Sequence, residues 1–198
     1  RVIMIKSKAD LIEYLQEDKI AINKNYDKPR YKIDVIWKYQ ILLRKCEYYI
    51  NCRHDIVGKL YSKLLKLRFV SMSQKLGFSM PFNVFGKGLS IAHYGQLVVS
   101  SSSVIGENCR IHEGVTIGVT DDAYWGEQEN KAPKIGNNVF IATGAKIIGN
   151  ITIADGVAIG ANAVVVKDIT EPNTSWGGVP ARKLSDNGSE KYICKIRR

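Results

Sequence analysis

The sequence has no apolar run longer than a few residues. Its N-terminal segment also lacks the succession of positive charge, apolar stretch and small residues that marks a secretory leader. The expectation is a cytoplasmic protein with no integral membrane segment. Its four cysteines, Cys46, Cys52, Cys109 and Cys194, form neither a paired framework nor a zinc spacing, which argues against a disulfide scaffold and fits a reducing compartment. Histidine is scarce. A three-histidine zinc site needs more than His93 and His112, the two that lie beyond residue 77, so no metal is expected. Aromatic residues are not interleaved with a basic groove, so the net charge of +10 does not point to nucleic acid. It reads as a solvated surface, or as attraction for an anionic small molecule or glycan. A hydrophobic content of 45% rules out a disordered chain, and 198 residues suffice for one ordinary domain with a smaller appendage.

What the sequence does have is a repeat. Ile105, Ile111, Ile117, then Ile135, Ile141, Ile147, Ile153, Ile159 and Val165 recur every six positions in one phase. The following residue is usually small, as at Gly106, Gly118, Gly136, Ala142, Ala154 and Gly160. Four positions after each aliphatic comes a second small or apolar group: Cys109, Val115, Val139, Ala145, Ile151, Val157 and Ala163. An amphipathic helix would space its apolar residues by three or four and an alternating strand by two, so neither explains a period of six. The pattern predicts a parallel β-helix, three short strands to a coil, with the aliphatic ladder stacked down its centre. No hexad can bury its own isoleucine; stacking does, at about 1.5–3 kcal/mol per fully buried aliphatic side chain. Cys109 falls in an inward slot and is expected in the core.

The segment before the repeats reads as helical. Ser7 to Asp10 resembles a capped start with Leu11, Ile12 and Leu15 at helical spacing, and Asn23 to Arg30 reads as a loop. Asp34 is expected to cap a longer helix whose apolar face is Ile36, Tyr39, Leu43, Cys46 and Ile50, leaving Lys38, Arg44, Lys45 and Glu47 in water. After a break at His54 and Asp55, Ile56, Leu60, Leu64, Leu67 and Phe69 or Val70 restart the pattern until Gly77. This last helix, with Lys59, Lys63, Lys66 and Arg68 on its outer face, is read as a lid on the first coil, since an open β-helix end exposes an edge and a core. The competing reading is a basic face toward a membrane or an anionic polymer. The domain division is 1–77 helical, 78–184 β-helical with a protruding loop at 119–133, and a tail at 185–198; Glu171 to Thr174 is taken as the turn leaving the β-helix, and Ser185 to Ser189 as the start of a flexible tail.

Extending the six-residue phase backwards from Ile105 gives Val99 and then His93, which would put an imidazole among aliphatics. Taking Phe85, Ile91 and Leu97 as the upper ladder, with two extra residues before Val99, turns His93 outward and predicts a turn or bulge at Leu97 to Val99. His112 lies nineteen residues on, close to one coil down.

Ile-Gly-Asn-Asn-Val-Phe at 135–140, Ile-Gly-Ala-Asn-Ala-Val at 159–164 and the closing Gly-Gly-Val-Pro-Ala-Arg at 177–182 resemble the left-handed β-helix hexapeptide acyltransferases. Within that family the resemblance is greatest to the serine acetyltransferases, over roughly Phe78 to Leu184. It implies an acetyl-CoA-dependent O-acetyltransferase working by direct transfer, without metal, as a homotrimer or a dimer of trimers. Ala92-His93-Tyr94-Gly95 resembles the family's segment containing its base, making His93 the group that takes the proton from an acceptor hydroxyl. An imidazole with an ordinary pKa near about 6.5 suits that task at cellular pH. The resemblance further places the oxyanion donor at the Gly118-Val119 turn, the pantetheine arm along Thr143, Gly144 and Ala161, and the CoA phosphates at Lys167 and Arg182.

The chain departs from the serine acetyltransferase pattern at three places. Phe78 stands where an aspartate fifteen residues before the base orients it, and Ala92 and Ala132 stand where an aspartate and a histidine hold the amino acid. The loop from Thr120 to Pro133, with Asp121, Asp122, Tyr124, Trp125, Glu127 and Glu129, could instead stack on and hydrogen-bond a saccharide, and one of its acids could replace the missing orienter. A saccharide acceptor held by His112, Asp121, Asp122 and Trp125 is therefore expected; serine is the alternative acceptor, and an inactive β-helical scaffold is the alternative of another class.

Overall fold

The computed structural model describes residues 4–120 and 131–194. Three helices, α1 (Lys8–Ala21), α2 (Val35–Cys52) and α3 (Ile56–Leu76), precede fourteen short strands. The strands form three faces of a left-handed parallel β-helix. One face carries β1 (Phe78–Ser79), β3 (Leu97–Val99), β6 (Thr116–Gly118), β9 (Lys146–Ile148) and β12 (Val164–Val165). The second carries β4 (Val104–Ile105), β7 (Lys134–Ile135) and β10 (Thr152–Ile153). The third carries β2 (Ser90–Ile91), β5 (Arg110–Ile111), β8 (Phe140–Ile141), β11 (Ala158–Ile159), β13 (Ser175–Gly177) and β14 (Arg182–Ser185), the last pairing antiparallel to β13.

The ladder has the register that the repeat requires. Ile105, Ile135 and Ile153 stack on one face, Ile111, Ile141 and Ile159 on the next, and Ile117, Ile147 and Val165 on the third. All nine are buried, and so are the second inward positions from Cys109 to Ala163. Burial pushes the Cys109 thiol up to about 12, leaving it an inert core group. Small residues after the ladder positions are a geometric need: a Cβ at Gly136 would approach a carboxylate oxygen of Asp155 to 2.2 Å. Asparagines at Asn108, Asn138 and Asn162 take up the left-handed conformation that the tight corners demand.

The two extra residues of the sixth-phase slip are absorbed without a bulge. Strand β3 keeps unbroken register with β1 and β6, with Leu97 and Val99 both inward, and the surplus lengthens the corner from Ala92 to Gln96, where Gly95 has φ +134°. His93 is exposed on that corner. The chain leaves the β-helix later than Glu171 to Thr174, because β13 continues the third face in parallel register with β11. The following residues pack back on it: Ser189 is buried, its N–H donates to Gly156 O at 2.9 Å, and Tyr192 stacks on Phe140. Ser185 to Ser189 is therefore not a loose tail.

Helix α1 starts as expected, Ser7 Oγ accepting from Asp10 N at 3.0 Å, and α3 ends at a left-handed Gly77. Three helical expectations are overturned. Asp34 makes no capping bond to α2; its buried carboxylate accepts instead from Lys24 Nζ, the Tyr26 hydroxyl and Arg30 N. Arg44 and Glu47 do not face water. Arg44 is completely buried, pairs with Asp18 at 2.8 Å and Glu47 at 3.1 Å, and donates to Phe85 O and Gly86 O. These carbonyls belong to the first coil, whose exposed end has backbone acceptors that the coil itself cannot satisfy. Gln40 donates to Leu89 O and Asp18 accepts from Leu89 N for the same reason, so α1 and α2 supply the polar part of the lid, while α3 packs on β1 as expected of it. Finally, the α3 residues that bury are Gly58, Ser62, Leu65, Phe69 and Leu76, while Ile56, Leu60, Leu64, Leu67 and Val70 point outward.

Arg44→Ala would strand two carboxylates in a dry interior and should cost about 3–5 kcal/mol. Denaturant titration reads this directly, and a wild-type midpoint in the variant would contradict the buried cluster.

Candidate functional site

Corners at the same place in successive coils lie above one another, and one such edge collects five of the nine candidate residues that the structure describes. His93 occupies the corner between β2 and β3, His112 and Glu113 the corner between β5 and β6, Thr143 and Gly144 that between β8 and β9, and Ala161 that between β11 and β12. Backbone bonds tie the levels together: Gly114 N donates to Gln96 O, Gly144 N to Glu113 O at 2.9 Å and Asn162 N to Thr143 O at 2.9 Å. The edge stays low because bulk does not fit. A Cβ on Gly144, which has φ +76°, would meet Asn162 Oδ1 at 2.1 Å.

His93 and His112 meet edge to face with ring centroids 5.7 Å apart. His112 in turn stands at right angles to Phe140, 5.1 Å away, and Phe140 stacks on Tyr192. One ligand-type atom each from His93, His112 and Glu113 lies within 4.8 Å of the others. Thr143 Oγ1 donates to Glu113 Oε1 at 3.0 Å and stands 3.5 Å from His112 Nδ1. Among the described residues, His112 Nε2 and Glu113 Oε2 are buried without a partner. Polar atoms left open in this way are rare in a settled core and mark a place where something else completes the bonding.

Burial, reinforced by the charge of Arg110 and by His93, holds the His112 imidazole below its ordinary pKa, against the pull of Glu113. Glu113 is held below the usual carboxylate range, first by its own backbone N–H, then by the Thr143 hydroxyl and the two imidazoles. A neutral His112 beside a charged Glu113 results. Such an arrangement can orient a neighbouring imidazole and stabilise it when it becomes protonated.

The other expected residues are elsewhere in the chain. Gly118 ends β6, Val119 follows it and Lys167 follows β12, on the next edge of the prism. Lys167 and Arg182 line one cleft of about 170 Å³. Phe78 is in the core, edge-on to Tyr39 at 5.1 Å, so it does not occupy a position beside His93. Asp121, Asp122 and Trp125 lie outside the described residues. Glu113 was not foreseen: third in its hexad and just before a glycine, it looked like an ordinary corner residue, and its signal was the adjacent His112 in a slot that is normally small.

A chain folded in this way is a hexapeptide-repeat β-helix protein, and the profile of the bacterial transferase hexapeptide (six repeats) matches residues 132–167. Over that stretch it is similar to the hexapeptide-repeat family, and over a longer one to the serine acetyltransferases. Serine acetyltransferase of Staphylococcus aureus strain N315 is 35% identical over 140 residues, which cover 68% of this chain and 63% of the relative. The matched region thus spans a little under two thirds of that protein. The crystal structure of serine acetyltransferase from Brucella abortus strain S19 superposes with a TM-score of 0.64 at 26% identity, covering 95% of this chain and 72% of the other. That enzyme's complex with coenzyme A scores 0.63 at 26% identity, covering 91% and 68%. The Neisseria gonorrhoeae enzyme in complex with serine scores 0.62 at 27% identity, covering 90% and 71%.

The depressed imidazole makes a pH prediction. Unfolded, His112 takes up its proton near about pH 6.5; folded, it does so at lower pH, so its neutral form supports the fold above that value and the support is lost as pH falls between the two. His93, Arg110 and Glu113 are the charged or titratable groups around it. The stability advantage of wild type over His112→Gln should therefore shrink between pH 7.5 and pH 5; an advantage that grows toward acid would reverse the assignment.

Proposed function

We propose that the protein is an acetyl-CoA-dependent O-acetyltransferase that transfers the acetyl group directly to an acceptor hydroxyl, with His93 as general base. The observation carrying this is the exposed imidazole of His93 set against His112 and Glu113 at the head of an edge of small residues, in a chain similar to serine acetyltransferases. His93 removes the hydroxyl proton as that oxygen attacks the thioester carbon, and returns a proton to the departing thiolate. Glu113 takes the part that an aspartate at position 78 would have had, with Thr143, itself beside His112 Nδ1, fixing its direction. Backbone N–H groups at Gly118 and Val119 receive the developing oxyanion.

The edge at Thr143, Gly144 and Ala161 suits a pantetheine arm that must approach backbone closely, and the cleft shared by Lys167 and Arg182 suits phosphates. His93 and the Gly118 turn lie on different edges of one chain, which is the reason for proposing a homotrimer: a neighbouring copy would bring its Gly118 edge to the His93 edge. Serine is the acceptor that the similarity to serine acetyltransferases favours. A saccharide is the second reading, because Ala92 and the buried Ala132 offer no charge to an amino acid's ammonium.

Thiol release from acetyl-CoA in the presence of serine should fall by about a hundredfold or more in His93→Ala, as expected for loss of a general base. Glu113→Gln should lower kcat by about tenfold and displace the acidic limb of its pH profile, with little effect on KM for acetyl-CoA. Full turnover in His93→Ala would end the reading; an unaltered profile in Glu113→Gln would remove Glu113 from it.

A further inference from the structure

We infer that the cleft beside His93 recognises a negative charge on the acceptor, a carboxylate being the simplest, and makes no demand for a positive one. The inference rests on the transfer reading of the site and names the class of acceptor. The cleft, of about 420 Å³, opens between the first turn of α2, the loop before it and the first two coils. Ala92 and Tyr94, on either side of His93, form part of its wall.

Charge in that wall is one-sided. Lys32 is exposed, and Arg110, half-buried one coil down, forms no ion pair among the described residues. Residues Val35, Ile36 and Trp37, the first turn of an 18-residue helix, line the same cleft. Their N–H groups lie at the positive end of the helix dipole, where an N-cap carboxylate would ordinarily accept from them. Asp34, the N-cap, does not. Its carboxylate accepts from Lys24 Nζ at 2.7 Å, Arg30 N at 2.7 Å and the Tyr26 hydroxyl at 2.8 Å. Burial alone would disfavour its charge, but these donors outweigh that and hold it well below the usual carboxylate range. The one acid among the described lining residues is therefore neutralised from behind, and Lys32, Arg110 and the helix end are left facing the cleft.

A carboxylate entering here finds charge-assisted partners. An ammonium finds the methyl of Ala92 and a positive wall. For a zwitterion such as serine, one end is recognised and the other merely tolerated, so a hydroxy acid or a uronic acid sugar should serve at least as well.

Four small acceptors separate the charges: serine, serinamide, glycerate, which has a hydroxyl in place of the ammonium, and glycerol, which has neither charge. Glucuronate and glucose make the same comparison on a ring. Thiol release should give glycerate a kcat/KM within a few-fold of serine, with serinamide and glycerol at least about tenfold lower through KM, as loss of one charged hydrogen bond predicts. Lys32→Gln and Arg110→Gln should each raise KM for the acids. Equal efficiency for acids and their neutral counterparts, still dependent on His93, overturns the charge inference and leaves the transfer reading intact. Saturation-transfer NMR on the same pairs decides the inference even where no turnover is seen. Stronger binding of glycerate or glucuronate than of glycerol or glucose, lost in the two variants, upholds it; indifferent binding overturns it while the transferase reading is judged separately.

Discussion

Everything in this molecule depends on the stacking of branched aliphatic side chains in three columns. A coil of three strands, each two or three residues long, has too little width to bury an isoleucine against its own residues, so each is covered by the coils above and below, and the columns hold only in strict register. That register does more than fill the core. Because every inward slot is fixed, every corner is fixed too, and residues 19, 31 and 18 positions apart in sequence come to lie on one edge: His93, His112, Thr143 and Ala161. The insertion between Ile117 and Ile135 does not disturb this, since Ile111 pairs with Ile141 across it as Ile141 pairs with Ile159 without it.

The same requirement explains the helical region. A β-helix has ends, and its first coil presents carbonyls with no coil above to donate to them. Arg44 answers two of these, Gln40 a third, while Asp18 accepts from the Leu89 N–H and Glu47 from that of Asn83. Satisfying backbone acceptors with a guanidinium brings a charge into a dry place, and Asp18 and Glu47 balance it. The helical lid is thus a polar plug inside an apolar rim, and α3 completes the rim with Leu65, Phe69 and Leu76.

Periodicity made the β-helix legible because one simple rule, inward every sixth residue, acts on the whole length of the repeat. The outward turn of His93 followed from the same rule once two surplus residues were allowed. The helices were harder for a physical reason. A helical wheel assigns polar residues to water, yet which of them meet unsatisfied carbonyls depends on a partner that the wheel does not contain, so Arg44 and Glu47 were misplaced. In α3 apolar residues occupy more than one side, and spacing could not tell which side would be buried; the face of Ile56, Leu60 and Leu64 was chosen and the opposite one is covered. Glu113 escaped because corner residues are read as turn formers, and because its role depends on Thr143, thirty residues further on.

Substitution and compensation are distinguishable in the site. Losing an aspartate at position 78 need not mean losing a carboxylate near His93, because Phe78 is turned into the core while Glu113 arrives from the coil below. The same cannot be said of Ala92. Among the described residues, no acid replaces the charge that an aspartate would carry there, and the surroundings run the other way: Arg110 is near enough to depress the proton affinity of His112, and Asp34 is already committed to Lys24 and Arg30. A cleft that had lost one carboxylate by drift would be neutral. This one is positive on two walls and at a helix end, which is the condition expected of a site fitted to an anion and not of a serine site that has decayed.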